Sequence, residues 1–166
     1  MYTIMFTKNI KKLFVLLIII ILAMIFSLTY SISSNAEIRN SIENSINSNL
    51  DALSQSIIDI KESEQTPNTS YAKENSIALL SNISQYQVLN KKVNCFEFER
   101  LINGYRHLLY TIDEKGLNEE SKKKLDIISK FISDFKNDET IKLKQKFLNF
   151  NEIVCENKDF FEVVRW

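Results

Sequence analysis

The sequence predicts an all-α protein: an N-terminal transmembrane helix followed by an extracytoplasmic antiparallel bundle of about four to five helices. Three observations predict it. Residues 13–32 form a nearly unbroken apolar run; apolar residues recur at helical steps from Ile38 to Val154; and two Gly and one Pro in 166 residues are too few for a turn-rich β fold.

The run Leu13–Leu28 reads LFVLLIIIILAMIFSL and follows the basic cluster Lys8, Lys11, Lys12. Extended to Ile32 it reaches 20 residues, enough helix at ~1.5 Å per residue to cross a ~30 Å hydrocarbon core. Thirteen of its first sixteen residues are Leu, Ile, Phe or Val, which favours insertion by about 4 to 8 kcal/mol with no charge to oppose it. Three lysines and no acidic residue precede the run, whereas Glu37, Arg39 and Glu43 follow it in mixed sign. The positive-inside rule therefore keeps residues 1–12 as a short cytoplasmic N-terminus and sends 33–166 across the cell membrane. A cleaved signal is the competing reading, because Ser34-Asn35-Ala36 is a small-x-small triplet. The run is longer than the 7–15 apolar residues usual in a signal peptide, which favours a signal-anchor. Cleavage after Ala36 makes the remainder a secreted helical protein.

Residues 33–66 read as a juxtamembrane amphipathic helix and linker. Ile38, Ile42, Ile46, Leu50, Leu53, Ile57 and Ile60 recur at a mean step of about 3.67, a helical period. Their stripe packs either on the bundle or on a second copy. Pro67, within Ser63–Ser70, is the strong breaker that ends this segment. Residues 67–166 read as the bundle.

A helix over about 70–91 is expected to bury Ile77, Leu79, Leu80, Ile83 and Tyr86. Asn94 with Glu97 has capping-box character and opens a helix with Phe98, Leu101, Ile102, Tyr105, Leu108, Leu109 and Ile112 on one side. Gly104 in its middle points to a close helix crossing, and Gly116 reads as a left-handed C′ residue. Asn118 caps a helix carrying Leu125, Ile128, Phe131, Ile132 and Phe135. Leu143, Phe147, Phe150 and Val154 continue the pattern, either in a new helix after Asn137-Asp138 or in one long helix. The tail Phe160–Trp166 is ambiguous between a helical turn and a strand. Eight of the eleven Phe and the one Trp fall in residues 95–166, so the packed core is expected there.

Composition excludes several classes. Removing Lys8, Lys11 and Lys12 leaves 18 basic against 21 acidic residues, a balance of −3, which gives nucleic acid no basic face. Abundant Ile and Asn point to a low-GC bacterial genome. Cys95 and Cys155 form a candidate disulfide closing about 60 residues, with two small buried hydrophobes as the alternative. His107, the one histidine, has no nucleophile motif around it, and no metal-ligand spacing or cofactor loop is present. The expectation is no enzyme, no catalytic residue, no metal and no cofactor. Lys122-Lys123-Lys124 reads as a solvated face.

The candidate interaction residues are Ile38, Ile42 and Ile46 of the juxtamembrane stripe and Phe160, Phe161 and Trp166 of the aromatic tail. The tail either closes its own core or docks a partner. The functional expectation is a single-pass, membrane-anchored helical protein with a structural or accessory protein–protein role in a bacterial envelope. Its partners are the lipid bilayer and either an envelope protein or a second copy. A span running into an exported helical bundle resembles in architecture the periplasmic part of bacterial chemoreceptors and sensor kinases. That resemblance implies ligand sensing; with about 12 cytoplasmic residues, any signal would pass through a partner.

Overall fold

The computed structural model describes residues 2–63, 67–91, 93–137, 141–155 and 157–165, with side chains from residue 17 onward. Among the described residues the chain is all-helical, with six helices and no strand: α1 (Tyr2–Glu62), α2 (Ser70–Leu89), α3 (Phe96–Lys115), α4 (Glu119–Lys136), α5 (Leu143–Val154) and α6 (Lys158–Val164). Internal packing divides the chain into two units, Met1–Asn40 and Ser41–Trp166. The first consists of the first part of α1. The second holds the rest of α1 and the other five helices.

In the second unit α1 buries Ile42, Ile46, Leu50, Leu53, Ile57 and Ile60. Steps of three and four put these six on one side of a helix, so they enter a single core together. Of the two fates open to this stripe, the structure has it packed within the bundle from Ile42 onward. The helical unit thus begins at Ser41, ahead of the Pro67 breaker at which the sequence divides stalk from bundle. Ser56 is the one polar residue on this face: its hydroxyl is 3.0 Å from the Tyr105 hydroxyl and donates to the Leu53 carbonyl at 2.9 Å. Lys61 pairs with Asp126, and Lys136 with Asp51, which joins α1 to α4 at two points.

Helix α3 is the centre of the unit, with α2, α4, α5 and α6 packed around it. It buries Phe98, Leu101, Ile102, Tyr105, Leu108, Leu109 and Ile112, the apolar side read from the sequence, together with Gly104. Its N-terminus differs from the expected capping box. Asn94 accepts from the Phe96 amide at 3.0 Å while Glu97 pairs with Arg100, so no reciprocal side-chain cap forms at Cys95. At the other end the Gly116 amide donates to the Ile112 carbonyl at 2.8 Å. Gly116 has φ 76° and ψ 171°. Positive φ was expected, but the extended ψ is not the left-handed helical value. That region is open essentially to glycine alone, and it turns the chain at once toward α4.

Asn118 caps α4 as expected, its side chain accepting from the Ser121 amide at 2.8 Å. Helices α4 and α5 are separate. The tail is a helix, α6, started by the Asn157 side chain, which accepts from the Asp159 and Phe160 amides. Where α3 to α6 meet, Phe98, Phe131, Phe135, Phe147, Phe150 and Phe160 form one aromatic core. Phe98 and Phe135 stand 4.3 Å apart between centroids, and edge-to-face pairs such as Phe98–Phe150 at 5.0 Å surround them. These geometries suit ring quadrupoles and add to the burial of large apolar area.

In α2 the expected apolar face is only partly realised. Leu79, Ile83 and Tyr86 are buried and Leu80 is half-buried, but Ile77 is 51% exposed and points away from the core. Ser76 takes the interior position that the sequence pattern assigned to Ile77.

Candidate functional site

The largest exposed apolar feature is the described part of the apolar run in α1. Every residue from Leu17 to Ile32 is exposed, and Leu22, Phe26, Leu28 and Tyr30 are exposed by more than half. Among the described residues this is the one helix long and apolar enough to cross a membrane. Its side chains project on all sides, as in a segment solvated by lipid rather than one that lays a single stripe on a core. Thr29 donates to the Ile25 carbonyl at 3.1 Å and the Phe26 carbonyl at 2.9 Å. A hydroxyl satisfied by its own helix needs no water.

The six candidate interaction residues separate. Ile38 is 47% exposed in the first unit, whereas Ile42 and Ile46 are buried in the second. Phe160 is fully buried, stacking edge-on to Phe131 at 5.5 Å and Phe150 at 6.1 Å, while Phe161 is half-buried. Trp166 lies outside the described residues. The aromatic tail therefore closes its own core through Phe160, Val163 and Val164. Arg100 extends this closure, with its guanidinium 5.8 Å from the ring centroids of both Phe96 and Phe160.

The candidate disulfide is not formed: both thiols are free, Cys95 buried and Cys155 exposed. Cys95 sits at the start of α3 with no solvent exposure. Burial pushes its thiol up to about 12, outweighing a hydrogen bond with Gln87 that acts to lower it. A thiol held so firmly protonated is a packing residue, not a nucleophile.

Other titratable groups serve to join helices. Desolvation between α2 and α3 works to raise the Asp113 carboxyl, but hydrogen bonds from Lys73 and Thr69 and the Lys73 charge outweigh it and hold the group low. Lys73 also lies 4.2 Å from the Tyr110 ring centroid, so one ammonium links both helices. Burial pushes the Tyr105 phenol up to about 12 although its bond to Ser56 opposes this. Partial burial raises Glu99. The lysine run is neutralised locally, with Lys122 on Glu119, Lys123 on Glu162 and Lys124 on Glu120. That matches a solvated face.

His107 is exposed on α3. No group of three His, Cys, Asp or Glu converges among the described residues. A broad open cleft brings Glu43, Asn47 and Asp51 of α1 near Lys136, Lys142 and Lys146. Lys136 is already paired with Asp51, and Lys146 donates to the Lys136 carbonyl at 3.1 Å. Its mixed charge favours neither anion nor cation.

One surface went unread in the sequence. The outer side of α2 exposes Tyr71, Ile77 and Val88. Its signal was present as an absence of contrast: α2 carries two charged residues in twenty, so it has no distinct polar face.

Comparison with protein-family models, with curated proteins and with solved structures returns no match.

Proposed function

We propose that this chain is a single-pass membrane-anchored protein whose helical bundle acts by protein–protein contact, in a structural or accessory role at a bacterial envelope. The observation that carries this reading is the apolar stretch Leu17–Ile32, in which every residue is exposed. In water it would be an apolar surface far larger than a soluble protein leaves uncovered. In a bilayer it is solvated, and the internally bonded Thr29 suits that setting. Lys8, Lys11 and Lys12 before the span support a cytoplasmic N-terminus and an extracytoplasmic bundle. The triplet Ser34-Asn35-Ala36 lies inside α1, where a helical backbone is a poor protease substrate; this favours retention of the anchor over cleavage.

The test is flotation of the full chain with phospholipid vesicles, followed by an alkaline carbonate wash and mass determination. An anchored protein floats, resists the wash and keeps residues 1–36. A chain that stays at the bottom of the gradient, or one shortened to residue 37, overturns the reading.

A further inference from the structure

We propose that the cleft between α1 and the α4–α5 corner is a binding site for a small acidic zwitterion, a molecule with one ammonium and two carboxylates such as glutamate. This goes beyond the contact role proposed above and depends on neither that role nor the anchor.

The cleft lies wholly within the second unit and has a volume of about 470 Å³. Small-molecule sites span roughly 300–1,000 Å³. One wall is acidic and polar: Glu43, Asn47 and Asp51 follow one another at steps of four and so share one side of α1. The other wall is basic, with Lys136 at the end of α4 and Lys142 and Lys146 at the start of α5. Ile141, half-buried, and Leu143, buried, add an apolar patch.

The charges do not cancel within the cleft. Asp51 and Lys136 pair with each other and leave nothing over. Glu43 forms no ion pair among the described residues, and neither do Lys142 and Lys146. Lys146 donates to the Lys136 carbonyl at 3.1 Å, which satisfies one of its protons and none of its charge. What remains is one negative charge on α1 and two positive charges at the start of α5. Glu43 and Lys146 are half-buried, so both are partly out of water, where an unpaired charge is least favourable. Opposite charges that line one recess without touching leave a gap that a molecule bearing both signs bridges.

The residual charges set the class of ligand. An ammonium complements Glu43, and two carboxylates complement Lys142 and Lys146. Asn47 serves either sign, because its amide both donates and accepts. The methylenes between two carboxylates suit Ile141 and Leu143. A simple anion leaves Glu43 unpaired, and a diamine leaves both lysines so. One molecule that meets all three charges loses its freedom only once. The cleft is open, so its ion pairs are partly hydrated and individually weak. The expected dissociation constant is on the order of 1 mM.

The test is thermal unfolding of the full chain in dodecyl maltoside micelles, read by circular dichroism at constant pH and ionic strength. Glutamate at about 10 mM should raise the midpoint by about 3–5 °C. Glutarate, which lacks the ammonium, and a four-carbon diamine, which lacks the carboxylates, should each raise it by less than half as much. No shift with glutamate, or an equal shift with glutarate, overturns the proposal. Glu43→Gln should remove the preference for glutamate over glutarate, and Lys142→Gln should weaken glutamate binding by about fivefold. Shifts are taken from each variant's own unliganded midpoint, which should match the parent's because neither side chain gives up an ion pair. A Glu43→Gln protein that still prefers glutamate, or a Lys142→Gln protein that binds it as tightly as the parent, overturns the cleft as the site. Failure here leaves the anchor standing, since flotation of the chain reads a different part of the molecule.

Discussion

Helix α1 contains two Ile- and Leu-rich stretches of opposite fate. From Leu17 to Ile32 every residue is exposed, while Ile46, Leu50, Leu53 and Ile57 have no exposure at all. The difference is in both hydrophobic content and spacing: residues 17–32 hold 13 apolar residues in 16, residues 42–60 eight in 19. In the first stretch apolar side chains occupy every face of the helix, which suits a solvent that is itself apolar. In the second they keep to one face, with Ser, Asn, Glu and Asp on the other, which suits a helix between a core and water. One continuous helix thus carries two different patterns of apolar residues.

The largest effect that would break this comparison comes from charge in the first stretch. Leu22→Arg with Ile25→Arg replaces two favourable contributions by two costs of roughly 3 kcal/mol each, a swing of about 6 kcal/mol or more. The expected outcome is loss of the chain from the floated membrane fraction, while the far-ultraviolet helical signal of the bundle is kept. Disappearance of the whole helical signal would mean that the span is needed to fold the rest.

Truncation sharpens the comparison next. Leu50→Ala opens a cavity in a fully buried site and should cost about 3–5 kcal/mol in denaturant unfolding of the vesicle-bound protein. Leu22→Ala removes the same atoms from an exposed position and should leave that midpoint unchanged. Equal effects would mean the two stretches share one environment.

The buried pair between Ser56 and Tyr105 gives a smaller, asymmetric effect. Tyr105→Phe removes one hydrogen bond, about 1 kcal/mol, because the Ser56 hydroxyl still reaches the Leu53 carbonyl. Ser56→Ala leaves the phenol buried without that partner and should cost more, about 1–3 kcal/mol. The pH dependence has a definite sign. The folded chain holds the Tyr105 proton up to about 12, whereas an unfolded tyrosine loses it near its ordinary value of 10.0. This contribution is complete below pH 10 and is lost as pH rises toward 12. Cys95 adds a loss of the same sign from pH 9.0 upward. Tyr105→Phe should flatten the upper part of that decline in alkaline unfolding curves.

The smallest effect tests a helix end within the second unit. Asn118→Ala removes the side-chain acceptor of the Ser121 amide and should lower stability by about 1 kcal/mol in the same denaturation assay. Asn118→Ser should restore most of it.

Much of this architecture could be read from spacing. Helix α3 kept every apolar position expected of it because its pattern is strongly one-sided. Asn118 was readable because a cap is a local device, decided by a residue and the amides that follow it. What failed to show in the sequence depended on partners far along the chain. Ile77 and Ser76 are neighbours on α2, and which of them faces α3 is decided by the packing of two helices. The capping box at Asn94 gave way because Glu97 found Arg100, and the Cys95–Cys155 pairing failed because one thiol is in the core and the other at the surface. Among the exposed apolar surfaces, the run that opens α1 was readable from its length and composition. The α2 face was not, since a helix with little polar contrast does not declare which side it leaves open.

The two cysteines, alike in number of atoms and different in depth, make this molecule its own clock. A thiol reagent should consume Cys155 at once and wait for Cys95 until the core around α3 comes apart. The slow phase then counts spontaneous openings of the fold under native conditions, without denaturant and without any introduced label.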